Sequence, residues 1–258
     1  MNSRIAHIAS NTFREAVRDR VLYNLIVFAL LMSAAAVVVG QISIDIERLV
    51  VINLGLTAVS LFGMVIAIFI GIGLVSKEIE RRTLYTVLSR PVRRWEFIVG
   101  KFFGLAGTLA VNTFFMALGV FAALLYVSRH FQKQDGWVLV ALYFIILQFL
   151  IITALTLFFS SFSSPLLSAV FAFSLFVIGS FAEDLRGFAS MTHGVTGWLA
   201  TGAAYVVPNF SALNVISTVA HAQPVSGQLI LYNSAYALVY ASMAICGAVL
   251  VFEHRNLK

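Results

Sequence analysis

Charge is what this sequence has least of: 11% of its 258 residues are Asp, Glu, Lys or Arg, against roughly 25% in an ordinary soluble domain. A water-facing surface built from so few charges would stay mostly apolar, which excludes a soluble globule. Cysteine is nearly absent, and the lone Cys246 excludes a disulfide or a cysteine-based metal site within one chain. No GxxxxGK[ST] phosphate loop occurs, because Gly100-Lys101 is followed by Phe102 and the spacing leads back to Trp95 instead of Gly. HExxH and GxSxG are also missing, and the five histidines are scattered over ends and loops. ATP hydrolysis, zinc proteolysis and serine hydrolysis are therefore not written into this chain, and an intramembrane metal site is not expected. No ionisable residue falls in the middle of a long apolar run, which argues against an ion-coupled secondary transporter.

What is present is apolar and long. Hydrophobic residues make up 60% of the chain and the mean hydropathy is +0.96, so lipid is the solvent that fits. A bilayer core of about 30 Å takes roughly 20 helical residues, and a charge at its centre costs about 2.5–3.5 kcal/mol. The charge-free runs are 21–44, 49–76, 102–128, 136–182 and 187–252. The fourth is too long for one span and breaks at Ser160-Ser161-Phe162-Ser163-Ser164-Pro165, where Pro165 fits a helix start. The last is diluted by Gly, Thr, Asn, Ser and two prolines up to Gln228, so only 229–252 reads as a full span. A short amphipathic or re-entrant piece broken at Pro208-Asn209 is expected before it. A transmembrane barrel would instead alternate in segments of about ten residues.

The expected architecture is all-α, a single membrane domain over 1–258. It has six spans near 21–40, 50–76, 100–127, 137–160, 165–183 and 229–252. An amphipathic helix over 2–20 precedes them and lies in the membrane interface, its basic face toward headgroups. The first apolar segment, behind a charged lead and lacking a small-residue cleavage pattern, is not read as a cleavable signal. With the N-terminus inside, 13 Lys and Arg fall on the inner segments against 4 on the outer ones. The positive-inside rule then places both termini in the cytoplasm of an inner, or plasma, membrane. The net charge of +6 is accounted for by that topology, and no nucleic-acid partner is needed.

One segment carries more than topology requires. Residues 76–101 read SKEIERRTLYTVLSRPVRRWEFIVGK, with seven of the 17 basic residues. Helical periodicity runs to about Leu88, Ser89-Arg90-Pro91 must turn, and a second short helix is expected from Val92 onward. The result is a hairpin over 77–99. A loop that only fixes topology needs a few cations, whereas this one interleaves Leu84, Tyr85, Val87 and Leu88 with the charges, which suits a docking surface.

Its order Lys-Glu-x-Glu-Arg-x-Thr-Leu, then Leu-Ser-Arg-Pro-Val-x-Arg-x-Glu-Phe, then Gly-Lys-Phe resembles the first cytoplasmic loop of ABC-2 type permeases. These are the membrane subunits of one class of ATP-binding-cassette exporters. Arg82 stands where many members have Gly. The resemblance implies that residues 83–88 form a coupling helix seated in a cleft of a separate ATPase subunit. Glu78, Glu80 and Arg81 would make polar contacts at its base, with Thr83, Leu84, Tyr85, Val87 and Leu88 in the cleft. Ser89, Arg90 and Pro91 would set the turn, and Arg93, Arg94 and Lys101 would meet the headgroup layer. The turn at 160–165 would touch the same partner. ATP and magnesium would bind that partner, with no cofactor or metal on this chain. Two copies, or one copy and a similar permease, would pair in the bilayer.

The cargo is expected to be amphipathic or hydrophobic, on a path including Phe171, Phe176, Asn53 and Thr57. The Phe-rich stretch through Phe158, Phe159, Phe162, Phe173 and Phe176 reads otherwise as lipid-facing and core packing. Asn112, Thr113, Gln148, Thr153, Thr156, Asn233 and Ser234 read as hydrogen-bonding glue between helices, and Gly100/Gly104 and Gly119/Ala123 as close helix contacts. Glu183 and Asp184 read as a solvated helix end or as an outer gate. The alternative function is a membrane scaffold that recruits a cytoplasmic partner without transport; an intramembrane enzyme lacks any catalytic constellation.

Overall fold

The computed structural model describes residues 2–42, 46–80, 93–129, 133–191 and 195–254. The chain is all-helical, with no strand among the described residues. In order, the helices are α1 (Asn2–Val17), α2 (Arg20–Ile42), α3 (Glu47–Glu80), α4 (Arg94–Ser128), α5 (Gly136–Ser160), α6 (Pro165–Ser180), α7 (Ala182–Met191), α8 (Val195–Val206), α9 (Ile216–Ala220) and α10 (Gly227–His254). A 3-10 turn, Lys133–Asp135, leads into α5.

Four helices are long and apolar enough to cross a membrane: α3 over Glu47–Gly73, α4, α5 and α10 over Gly227–Glu253. The pair α6–α7 makes a fifth if counted as one span, bent by 62° where the helices meet at Phe181. Helix α2 is 23 residues long, and the apolar stretch among its described side chains is the shorter Leu30–Gln41. The tight turn between α5 and α6 follows from local chemistry. Ser160 and Ser161 turn their hydroxyls onto the carbonyls of Leu157 and Phe158, capping the end of α5. Pro165, with no N–H to leave unsatisfied, then opens α6.

The centre of the bundle is α3 against α5. Leu56, Val59 and Ile66 of α3 and Phe144 and Ile151 of α5 are fully or almost fully buried. Helix α4 packs on both, α2 lies against α3 and α4, and α10 lies mainly on α5. Helices α3, α5 and α10 run toward the same end and α4 runs opposite to them, since the α3 and α5 starts meet through Arg48 and Asp135 and the last turn of α10 meets the first turn of α4. The N-terminus, the flanks of 81–92 and the turn at 160–165 therefore share one end, the basic end, while α7 to α9 gather at the far end.

Two expectations change here. The segment after the basic hairpin is not a separate short helix: α4 starts at Arg94 and runs unbroken for 35 residues. Nor is the apolar stripe of α1 turned to lipid alone. It lies along α4, where a Cβ on Gly100 would stand 2.6 Å from Cγ2 of Ile8, and one on Gly104 would stand 2.6 Å from the Ala9 carbonyl oxygen. The small-residue spacing marks a close contact, as read from the sequence, and its partner is α1. Arg4, Arg14 and Arg18 stay exposed.

Candidate functional site

The basic segment is approached by two helices that both exceed the membrane. Helices α3 and α4 have 34 and 35 residues, about 51 and 52 Å at 1.5 Å per residue, against a hydrocarbon core of about 30 Å. Glu78 and Glu80 fall on the last turn of α3. Arg81, Thr83, Leu84, Tyr85, Val87, Leu88, Ser89, Arg90 and Pro91 lie outside the described residues.

The far side of the segment is built in detail. Arg93 precedes α4 in extended conformation, and its N–H donates to the Glu96 carboxylate at 3.0 Å. That carboxylate also sits in the first turn, where the helix dipole favours negative charge. Glu96 is 2% exposed, so this motif residue holds the start of the helix instead of facing a partner. Arg94 Nη1 donates to the carbonyls of Phe252 and Glu253 at 2.8 and 2.9 Å, capping the end of α10, and its guanidinium lies 5.9 Å from the Phe252 ring centre. Phe97 stacks on Phe252 at 6.0 Å, and with Ile98 and Ala248 they form a small core separate from the main one.

Lys101, expected in the headgroup layer, is buried at 2% exposure. Its Nζ lies 3.9 Å from the Glu15 carboxylate of α1 and 5.6 Å from the Phe97 ring centre. Because α1 folds across the start of α4, the ammonium is enclosed between protein surfaces and takes its counter-charge from the chain itself.

A family model described as ABC-2 family transporter protein matches residues 6–256. The chain belongs to that family. It is a multi-pass membrane protein and a transporter permease. No curated protein matches the sequence. Because the match begins within α1 and ends beyond α10, α1 is part of the permease fold and not an appendage.

Within this permease the four residues expected along a substrate path lie on two helices, Asn53 and Thr57 on α3 and Phe171 and Phe176 on α6. Asn53 is half-buried on α3 and Thr57 exposed. Phe171 leans on Phe159 with ring centres 5.4 Å apart, and Phe176 lies against Phe210 at 5.4 Å. A groove of about 330 Å³ does open between α3 and α6, lined by Met64, Val65, Ile68, Phe69, Ala169, Val170, Phe173 and Ser174. None of the four expected residues is among them, although Phe173 belongs to the aromatic stretch singled out in the sequence.

The polar residues inside the spans divide by use. Gln148 accepts from Ser60 at 3.3 Å, Ser234 meets Tyr143 at 2.7 Å, and Asn233 donates to the Ala212 carbonyl at 2.9 Å, all between elements. Thr113 and Thr156 instead donate to Leu109 and Ile152, one turn back in their own helices. The Asn112 amide nitrogen and the Thr153 hydroxyl are buried with no hydrogen-bond partner among the described residues. Glu183 and Asp184 are exposed in the first turn of α7, an arrangement the helix dipole favours.

Sequence reasoning missed three connections. Arg94 grips α10; Arg48 pairs with Asp135 and donates to Gln134 at 3.0 Å, tying the far ends of α3 and α5; and Asn233, Tyr236 and Tyr240 bind the main chain after α8. Only the last left a trace, since positions 233, 236 and 240 share one helical face.

Proposed function

We propose that this chain is the membrane-spanning half of an ATP-driven exporter. On this reading, residues 77–92 dock on a separate ATPase subunit that binds ATP and magnesium, and the spans move a hydrophobic or amphipathic cargo. The reading is supported by the pair of over-long helices, α3 and α4, whose ends flank the strongly basic sequence 81–92 in an ABC-2 family chain. The excess of Lys and Arg at the basic end of the bundle supports a cytoplasmic position for it and for both termini, in a plasma or inner membrane.

Helix α2, completing α3, α4, α5, the bent α6–α7 pair and α10, makes the sixth span on this reading. Helix α8 and the chain around Pro208-Asn209 then form the outer, re-entrant piece. The apolar groove between α3 and α6 supports a hydrophobic cargo, and Phe171, Phe176, Asn53 and Thr57 flank that route. Helix α6 buries only Ser168, Ala172 and Gly179, which leaves an apolar face for a second copy across a shared path.

Co-purification from native membranes in mild detergent, followed by a vanadate-sensitive ATPase assay, tests the reading. The expected result is a nucleotide-binding subunit at about one per permease and ATP hydrolysis that the cargo stimulates. Leu84→Asp with Leu88→Asp should abolish both recruitment and stimulation. A chain that recruits a partner with no cargo-stimulated hydrolysis is a scaffold, and a chain that purifies alone refutes the docking role.

A further inference from the structure

Helix α10 packs on one side along α5 and leaves most of its surface to lipid. It has 28 residues, about 42 Å, yet only 22% of its membrane window is buried, against 67% for α3 and 72% for α5. At the basic end Arg94, two positions beyond residue 92, grips its last carbonyls. Along its first half one face of α10 serves the end of α8 and the non-helical chain that follows it. Asn233 donates to the Ala212 carbonyl at 2.9 Å, the Tyr236 hydroxyl accepts from Asn209 N–H at 2.8 Å, and the Tyr240 hydroxyl donates to the Val206 carbonyl at 2.9 Å. Main-chain groups that left their helix inside a membrane protein need such partners.

The same segment is fastened on its other side to α6. Phe210 and Ser211 donate their N–H groups to the Gly179 carbonyl at 3.0 and 3.3 Å. Gly179 has to be glycine for this, since a Cβ there would overlap the Pro208 carbonyl oxygen. Residues 206–212 are thus clipped between α10 and the far end of α6.

We propose that α10 is the rod linking the docking segment to the far mouth of the permease. Arg94 holds one end; Asn233, Tyr236 and Tyr240 carry its displacement to residues 206–212 and so to α6. The inference rests on the docking reading above. Because α10 is packed on one side only, along α5, it can tilt with less repacking than α3 or α5, which are enclosed in the dense core. A tilt of about 4° pivoting at the Arg94 grip moves Asn233, about 30 Å away, by about 2 Å, the size of helix shift that switches packed interfaces. It would also stretch a 2.9 Å hydrogen bond beyond its working range. Because both grips are small sets of directional bonds to main-chain groups, they can make and break as units.

Hydrogen exchange of the full chain in lipid nanodiscs tests this without any nucleotide. Arg94→Ala should speed exchange of the Phe210 and Ser211 amides about tenfold, with α3 and α5 amides unchanged and Arg94→Lys close to wild type. Coupling is reciprocal, so Tyr240→Phe should loosen the last turn of α10. In the Asn233→Ala/Tyr240→Phe background, Arg94→Ala should add nothing at 206–212. Effects confined to the substituted end, in both directions, overturn the proposal; the reverse substitution keeps the test decisive even where Arg94→Ala disturbs folding. With the ATPase subunit bound, vanadate trapping should change exchange at 206–212 in the wild type and not in Arg94→Ala. If the ends are linked but no ATPase is recruited, the docking reading fails and the link stands. If trapping alters 206–212 equally in Arg94→Ala, the route through α10 fails and the docking reading stands.

Discussion

Replacing Gly104 with Ala sets two effects of opposite sign against each other. In a helix interior Ala is favoured over Gly by roughly 0.5–1 kcal/mol. Against this, a Cβ at position 104 would stand 2.6 Å from both the Ala9 carbonyl oxygen and the Thr12 Cβ, about 1 Å inside the ordinary carbon contact of 3.5–4.0 Å. The obstructing oxygen belongs to the α1 backbone, so no rotamer change relieves the clash and the whole helix must lift. Overpacking of this kind costs about 1–3 kcal/mol, so the steric effect wins and the variant is less stable by about 1 kcal/mol net. Gly73→Ala is the internal control: nothing among the described residues lies within 4 Å of a Cβ there, so propensity decides and the sign reverses. Thermal melting of the purified chain in nanodiscs reads both. Gly104→Ala should lower the midpoint by about 2–4 °C and speed exchange along α1, while Gly73→Ala should raise it. A Gly104→Ala protein that melts at or above the wild-type midpoint, with α1 still protected, would refute the close seating of α1 on α4.

Asp135→Ala strands the Arg48 guanidinium, whose side chain is only 20% exposed. The expected cost is about 2 kcal/mol, less than for a fully buried pair because Arg48 keeps some solvent and Gln134. Exchanging the two residues (Arg48→Asp with Asp135→Arg) should recover part of it, and strictly additive losses in melting would show that the pair is not coupled. Val170→Trp fills the groove between α3 and α6. It should reduce cargo-stimulated ATPase about tenfold, a loss of 1.4 kcal/mol of transition-state stabilisation, with recruitment of the ATPase subunit unchanged; full stimulation would take the groove off the transport path.

The parts of the fold that announce themselves locally were legible in the residues. Ser160 to Pro165 reads as a helix stop and a helix start because serine capping and the missing proline N–H act within a few positions, and α5 ends and α6 begins there. The Gly100/Gly104 spacing reads as a close contact for the same reason, though nothing in it names α1 as the partner. Other residues carried a misleading local signal. Lys101 beside a span reads as a headgroup contact until α1 folds over it. Glu96 reads as part of a docking motif, while its carboxylate holds the first turn of its own helix. Asn53, Thr57, Phe171 and Phe176 show what residue type alone leaves open. Polarity and aromaticity do not distinguish a groove from a lipid-facing flank, because lipid is as apolar as the interior.

The sequence by itself determined the solvent, the helical class and the basic segment that sets this permease apart from a bare bundle. Those follow from the cost of placing charge and unpaired backbone in hydrocarbon, which depends on composition and run length alone. Only the tertiary structure decided that α1 lies on α4, that Arg94 closes the end of α10 some 158 positions away, that Arg48 meets Asp135, and that α3 and α6 leave a groove between them. In a membrane the helices gain nothing simply by hiding from solvent. Their neighbours are chosen by shape fit and a few directional bonds, and those exist only once distant segments have been brought together.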